Sequence, residues 1–413
     1  MTVPERVLII GGGQAGYQAA ASLRQEGFAG DIAIVGDEPG VPYQRPPLSK
    51  AYLLGKIGAD ALRFRPDAFF GEQRIARLHQ RGVAIDRAAR EVQLQDGSRA
   101  GYDHLILATG ARNRIPAVPG IELDGVFGLR TIADADALAQ SLAAARHAVV
   151  IGAGFIGLEF AAVAAAKGVA VEVVEIGDRP MARAISRPMS ELFSAGHAGW
   201  GVKLNFACGV ARIVGRDGRV SAVETTDGRL LPADLVVYGI GVLPNAELAA
   251  EAGLAINNGI RVDATLLSSD AHISAIGDAA SFVSPHAERA IRLESVQNAV
   301  DQGKCVAARL VGKPAAYAAL PWFWTDQGDL RLQIAGLSDG HDQTVLLGSA
   351  QTRQLAVLCF RQGRMIAVET ANRTMDHMAA RKLLLRSPAL TPQQAAEPGF
   401  ELKAYEAATR PPA

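Results

Sequence analysis

The sequence of 413 residues is 49% hydrophobic and 20% charged, the make-up of a globular protein with room for two or three domains. Its 42 basic and 42 acidic residues cancel, so no global charge draws it to nucleic acid or to an anionic membrane, and a charged partner has to be met by a local patch. Three widely spaced cysteines, Cys208, Cys305 and Cys359, fit neither a disulfide framework nor a zinc or iron–sulfur ligand set, and they suggest a reducing cytoplasm; the eight histidines show no HExxH spacing.

In chain order, the apolar run Val7 to Ile10 leads into three glycines, an alanine-rich helical stretch over Gln14 to Arg24, and a second strand-like run over Asp31 to Val35. The start has a faint signal-peptide look, but Gly11 to Gly13 interrupt it where an export signal would stay helical. The segment Tyr102 to Gly110 reads as a strand ending in a turn, and Pro116 and Pro119 then break regular structure at a first domain boundary. The strand, glycine turn, helix, strand plan recurs from Ala148 through Lys167 to Val174; Glu159 and three glycines argue against a membrane span over Ala148 to Ala166. A second strand and turn, Ala233 to Gly241, precedes the boundary at Pro244 and Asn245, after which the chain returns to the first domain until Pro321. From Trp322 a small third domain is expected, with strands over Leu330 to Ile334 and Leu355 to Phe360, a helix over Asp376 to Leu385, and partial disorder in the tail from Pro392 to Ala413. The expected boundaries are therefore 1–113 with 245–321, 114–244, and 322–413, in an α/β fold with two Rossmann-like nucleotide domains and a small α+β C-terminal domain.

Gly11, Gly13 and Gly16 form GxGxxG between a strand and a helix, the context a dinucleotide site requires. The first glycine permits the turn, the second lets a pyrophosphate approach the backbone, and the third lets helix pack on strand. Amides at the helix N-terminus then meet the phosphates, and Asp37 is placed for the ribose. Gly152, Gly154 and Gly157 repeat the motif, with Glu175 closing the next strand. A carboxylate there accepts from a ribose diol and repels a 2′-phosphate, which favours NADH; Arg179 and Arg183 keep NADPH open. A third signature, Ser274 to Ala280, delivers Gly277 and Asp278 from an apolar strand onto a turn and the start of a helix.

Five motifs in order carry a resemblance: Tyr43 to Lys50, Ala108 to Arg112, Gly152 to Glu159, Arg292 to Ala299 and Pro321 to Gln327. Together they resemble the FAD-dependent ferredoxin reductases of bacterial oxygenase systems, which include putidaredoxin, palustrisredoxin and rubredoxin reductases and the reductase components of ring dioxygenases. The likeness runs through nearly the whole sequence and implies a glutathione-reductase-like architecture. It also implies that Ala15, Asp37, Lys50, Val83, Arg130, Asp278 and Val296 attend FAD, with Arg45, Thr109, Gly110, Gly277 and Glu294 as further cofactor-binding candidates. Gly154, Phe155, Ile156, Glu159, Glu175, Arg183 and Gly241 would attend NADH. Lys50 and Glu159 are implied to pair near the reacting rings, with Trp324, alongside Trp322, approaching from the third domain; Thr325 stands where a serine is more usual.

Plainer readings stand beside these. Lys50 also reads as a surface lysine after a Pro-Pro turn, Glu159 as a carboxylate favoured by the dipole in a helix's first turn, and the tryptophans as core aromatics. The resemblance implies an NADH-dependent enzyme that reduces a small ferredoxin, of two-iron two-sulfur type, for a haem monooxygenase or ring-hydroxylating oxygenase. Flavin disulfide reductases of the same architecture carry cysteine near Pro46 to Lys50, and this sequence has none before Cys208. A redox-responsive binding protein resembling apoptosis-inducing factor is the alternative from another class, and a rubredoxin is the alternative acceptor. Arg63, Arg65, Arg289 and Lys304 are candidates for a basic docking face, and monomer and weak dimer both remain open.

Overall fold

The protein is described here by a computed structural model covering residues 3–386 and 389–410. Two compact units emerge. One comprises the residues up to Gln44, Asp60–Arg112 and Val242–Pro321; the other comprises Arg45–Ala59, Asn113–Gly241 and the residues from Trp322 on.

In the first unit, Arg6–Ile10 is the central strand of a five-stranded sheet, flanked by Asp31–Val35 and His104–Leu107 in parallel. The near-continuous apolar runs of these strands follow from burial on both faces, as parallel sheets require. Val7, Leu8 and Ile9 are buried with Leu105, Ile106 and Leu107 in one core. Gln14–Gln25 forms the helix after the glycines and packs against Val296–Leu310, where a Cβ on Gly303 would sit 3.0 Å from the Ala19 amide.

The second unit repeats this layout. His147–Ile151 is central between Ala170–Val174 and Leu235–Tyr238, again in parallel within a five-stranded sheet, and Phe155–Ala166 is the crossing helix. The apolar stretch Ala148 to Ala166 is thus a strand, a turn and a buried helix. Among the described residues no helix is long and apolar enough to cross a membrane.

The same unit holds a five-stranded antiparallel sheet, Trp322–Gln327 beside Leu330–Gly336, Arg364–Ala371, Gln354–Arg361 and Gln343–Ser349. The helix Thr374–Leu385 follows it and buries Ala379, Ala380 and Leu383.

Two expectations need correcting. After Ile273–Ala275 the chain makes a short 3-10 turn, Gly277–Ala279, and continues as the strand Ala280–Ser284, so Asp278 does not start a helix. Ser281 and Phe282 are buried, and packing there decides for strand over the aspartate's capping preference. The tail is ordered where described: Pro392–Ala395 starts at a Thr391 capping box, and Leu402–Ala408 buries Leu402 and ties Glu406 to Arg386 at 2.8 Å. Residues 411–413 of that stretch lie outside the described residues.

Candidate functional site

The first glycine motif shows which glycines serve the chain and which serves a ligand. A Cβ on Gly11, at φ 112°, would stand 2.2 Å from the Ala108 carbonyl oxygen, and one on Gly16 would stand 2.0 Å from the Gly11 oxygen. Both are glycine because backbone meets backbone. At Gly13 a Cβ would meet nothing within 4 Å, so the close approach its missing side chain allows is open to another molecule. Gly13 is also the N-cap of Gln14–Gln25 and no side chain caps that helix, leaving its first amides for an anion.

Around this cradle the same unit gathers several predicted residues. Ala15 is buried, and a Cβ on Gly277 would touch it at 2.9 Å, which brings the Asp278 turn onto the helix start. Gln302, wholly buried on Val296–Leu310, accepts the Gly277 amide at 2.7 Å, and Arg292 donates to the Asp278 carbonyl at 3.0 Å. Val296 is the first residue of its helix, and Glu294 pairs with Arg292 at 2.7 Å. Thr109 donates to the Asn245 carbonyl at 2.6 Å and receives the Asn245 amide at 2.9 Å, while Gly110 turns the chain at φ 67°. Asp37 is exposed two residues past its strand, and Val83 is exposed on Gly82–Asp86. The open glycine, the uncapped helix start and the exposed strand-end acid suit a dinucleotide such as FAD. Lys50, Arg130 and Trp324, predicted beside the flavin, and the cofactor-binding candidate Arg45 belong to the second unit.

There Gly152, at φ 100°, and Gly157 would clash with the Gly239 and Gly152 carbonyl oxygens at 2.6 and 2.4 Å, whereas a Cβ on Gly154 would have only a 3.4 Å contact with the Gly239 oxygen. Gly154 is again an N-cap with no side-chain partner, and Phe155 and Ile156 open the helix half-buried. Glu175 accepts the Ala153 and Gly177 amides, both at 2.7 Å, so its carboxylate is fixed at the turn. Of the two arginines that left NADPH open, Arg179 is turned inward to the Ile185 and Ala182 carbonyls and the Ser190 hydroxyl, at 2.8, 2.8 and 2.6 Å. Arg183 is exposed, 3.6 Å from where a Cβ on Gly241 would stand.

Glu159 does not lie in the first turn. The helix begins at Phe155, its first turn holds no acid, and Glu159 is fifth, so the dipole reading loses its basis. Three donors hold it instead. Lys50 Nζ lies 2.7 Å from Oε1, Thr325 Oγ1 donates to the same oxygen at 2.5 Å, and the Ser49 hydroxyl donates to Oε2. The carboxylate is 4% exposed and Lys50 18%, so Lys50 is no free surface lysine; such burial demands the partners found. Pro46 and Pro47 pre-set a 3-10 turn that sends Ser49 and Lys50 to one carboxylate, and Lys50 also donates to the Pro46 carbonyl at 3.2 Å. Arg45 anchors this turn through the Arg130 carbonyl at 2.8 Å.

Alternation along Trp322–Gln327 divides its side chains. Phe323 packs on Phe155 with ring centroids 4.5 Å apart and Thr325 reaches Glu159, while Trp322 and Trp324 form a tilted pair at 5.5 Å on the other face. Both tryptophans are half-buried, and Arg381 lies over the Trp322 ring at 4.6 Å. Sequence reasoning missed Ser49 and gave Thr325 no role; Ser49 and Thr325 are 110 and 166 residues from Glu159, and no local pattern signals such a contact. Cys208 and Cys359 are buried and all three cysteines are free.

Residues 5–303 match the pyridine nucleotide-disulphide oxidoreductase family and residues 322–406 match the reductase C-terminal family. The sequence is 52% identical to rhodocoxin reductase of Rhodococcus erythropolis, over 96% of this chain and 93% of that one. The crystal structure of the ferredoxin reductase for the CYP199A2 system from Rhodopseudomonas palustris superposes with a TM-score of 0.95 at 49% identity, over 97% of this chain and 100% of that one. The reductase in the covalent putidaredoxin reductase–putidaredoxin complex gives a TM-score of 0.95 at 37% identity, with 98% of both chains covered.

Proposed function

This chain belongs to the pyridine nucleotide-disulphide oxidoreductases, among the ferredoxin reductases with the reductase C-terminal domain, and on that premise we propose how its residues divide the work. It is an FAD-dependent NAD(P)H:ferredoxin oxidoreductase that supplies electrons to an oxygenase system. When bound, the flavin provides two-electron uptake and one-electron release, which no side chain can perform.

The remaining task is positioning. Gly11, Gly13, Ala15 and Gly16 present the first cradle to the FAD pyrophosphate, with Asp37 at its ribose and Asp278 at the ribityl chain. Arg45, Val83, Thr109, Gly110, Arg130, Gly277, Glu294 and Val296 complete that site. Gly152, Gly154, Phe155, Ile156, Gly157, Arg183 and Gly241 receive NADH, and Glu175 selects it over NADPH by accepting the ribose diol. Lys50 places a cation at the reacting rings, held there by Glu159, and Trp324 covers them. The three-domain division with boundaries near 113, 244 and 321 is retained as part of this reading.

The observation that carries the proposal is the Lys50–Glu159–Thr325 cluster beside a Pro46–Lys50 turn that holds no cysteine: a charged, hydrogen-bonded group stands where a disulfide reductase would keep its thiol. Electrons then leave for an external carrier. We assign that carrier to the two-iron two-sulfur ferredoxins, in the cytoplasm, with the enzyme acting as monomer or weak dimer. Arg63, Arg65, Arg289 and Lys304, all exposed in the first unit, are proposed as its docking face.

The test is NADH-driven reduction of a purified two-iron two-sulfur ferredoxin and of a rubredoxin, with ferricyanide as control, at rising ionic strength. Ferredoxin reduction should be faster than rubredoxin reduction and slow with salt, while ferricyanide reduction stays nearly constant. Equal salt sensitivity of ferredoxin and ferricyanide removes the docking face, and a faster rubredoxin reassigns the acceptor.

A further inference from the structure

The loop of residues 176–186 joins Glu175 to the helix Arg187–Gly199 without regular structure, and it carries Arg183. Such a loop has conformational freedom to lose, so contacts must impose its shape. Met181 within it adopts φ 52°, a left-handed conformation that a bulky side chain takes only when its surroundings fix it.

Side chains of the C-terminal sheet region supply the anchors at close intervals. Gln327 donates from Nε2 to Met181 Sδ at 3.7 Å, and Ser338 donates to the Ala184 carbonyl at 3.2 Å. Glu369, wholly buried on Arg364–Ala371, accepts the Ser186 amide at 2.9 Å and the Ser186 hydroxyl at 2.6 Å. Ser186 is the N-cap of Arg187–Gly199, yet its hydroxyl makes no cap hydrogen bond and is spent on Glu369. Burial pushes the Glu369 carboxyl up, and its bonds from Ser186 pull it back.

A buried carboxylate costs more than an apolar residue of its size, so an interface needing only adhesion gains nothing from one. What it gives is direction: the anchors fall on both sides of Arg183 and fix the loop there. We propose that Glu369, Ser338 and Gln327 are positioning residues for the pyridine nucleotide, through which the C-terminal sheet holds the 176–186 loop so that Arg183 stays beside Gly241 and the ADP-ribose half of NADH meets a formed site. This rests on the assignment of Glu175, Arg183 and Gly241 to the nucleotide.

The test uses holoenzyme and ADP-ribose as probe. Glu369→Gln should weaken ADP-ribose binding about tenfold by calorimetry and raise KM for NADH by the same factor, with kcat for ferricyanide within about twofold and the flavin spectrum unchanged. Ser186→Ala and Ser338→Ala, each removing one hydroxyl, should give smaller shifts in the same direction, and they decide the matter if Glu369→Gln does not fold. Wild type that binds ADP-ribose, with variants that bind equally well or lose kcat at constant KM, overturns this inference alone. Wild type that does not bind ADP-ribose overturns the nucleotide assignment and this inference with it.

Discussion

Replacing Gly13 by alanine should separate the proposed flavin cradle from the fold that carries it. A methyl there meets no protein atom within 4 Å, and φ is −77°, so the backbone is not strained. Alanine is a poorer N-cap than glycine, and the stiffer unfolded chain offsets this; the apoprotein should stay within about 1 kcal/mol of wild type. Gly11→Ala is the contrast, because its methyl would stand 2.2 Å from the Ala108 oxygen at φ 112°, and several kcal/mol of stability should be lost. On the proposed assignment the same methyl at Gly13 should hold the FAD pyrophosphate off the helix amides. Weakening one or two hydrogen bonds to a charged group, at about 1.5–3 kcal/mol each, predicts binding weaker by about tenfold to several hundredfold or more. The assay is flavin content on purification, FAD affinity of apoprotein by fluorescence, and urea unfolding of apoprotein. Gly13→Ala with wild-type FAD affinity, or with stability as poor as Gly11→Ala, would refute the reasoning.

Lys50→Met leaves Glu159 buried with only hydroxyl donors; holoenzyme should lose about 2–3 kcal/mol in urea unfolding, and pairing it with Glu159→Gln should recover most of that. If Glu175 meets the ribose as proposed, Glu175→Gln removes a charge that would repel a 2′-phosphate and should raise the NADPH to NADH ratio of kcat/KM about tenfold, measured with ferricyanide. Burial lowers His104 to about 3 and His377 to about 4, with Arg309 and Arg381 adding to each. Both are therefore neutral in the fold and gain protons on unfolding below pH 6.5, so each contributes stability above that pH that falls away towards its folded value. Between pH 7 and pH 5 the loss should be roughly 2 kcal/mol per histidine, and His377→Phe should flatten its share in unfolding curves taken across that range.

The sequence made the nucleotide folds legible because their local and tertiary signals agree. Val7 to Ile10 and Val149 to Ile151 are apolar runs buried on both faces, and the first and third motif glycines after them, Gly11, Gly16, Gly152 and Gly157, sit where backbone meets backbone. The Glu159 cluster was legible only as a pair, since Ser49 and Thr325 reach it from elements distant in the chain and neither carries a motif. The capping signal at Asp278 pointed to a helix, but burial of Phe282 made the following segment a strand. The tail looked disordered because its polar composition hides the ion pairs of Glu406 with Arg386 and Arg410, at 2.8 and 2.7 Å, that hold it.

Anaerobic rapid mixing of the oxidised holoenzyme with NADH tests the central claim most directly, because the flavin absorbance falls only if both proposed nucleotides bind and hydride passes from one to the other. The account predicts loss of that absorbance at or above the turnover of a typical enzyme, about 10 per second, and a much slower loss with NADPH. Bleaching far slower than this with NADH would contradict it and favour a protein whose nucleotide binding changes its association.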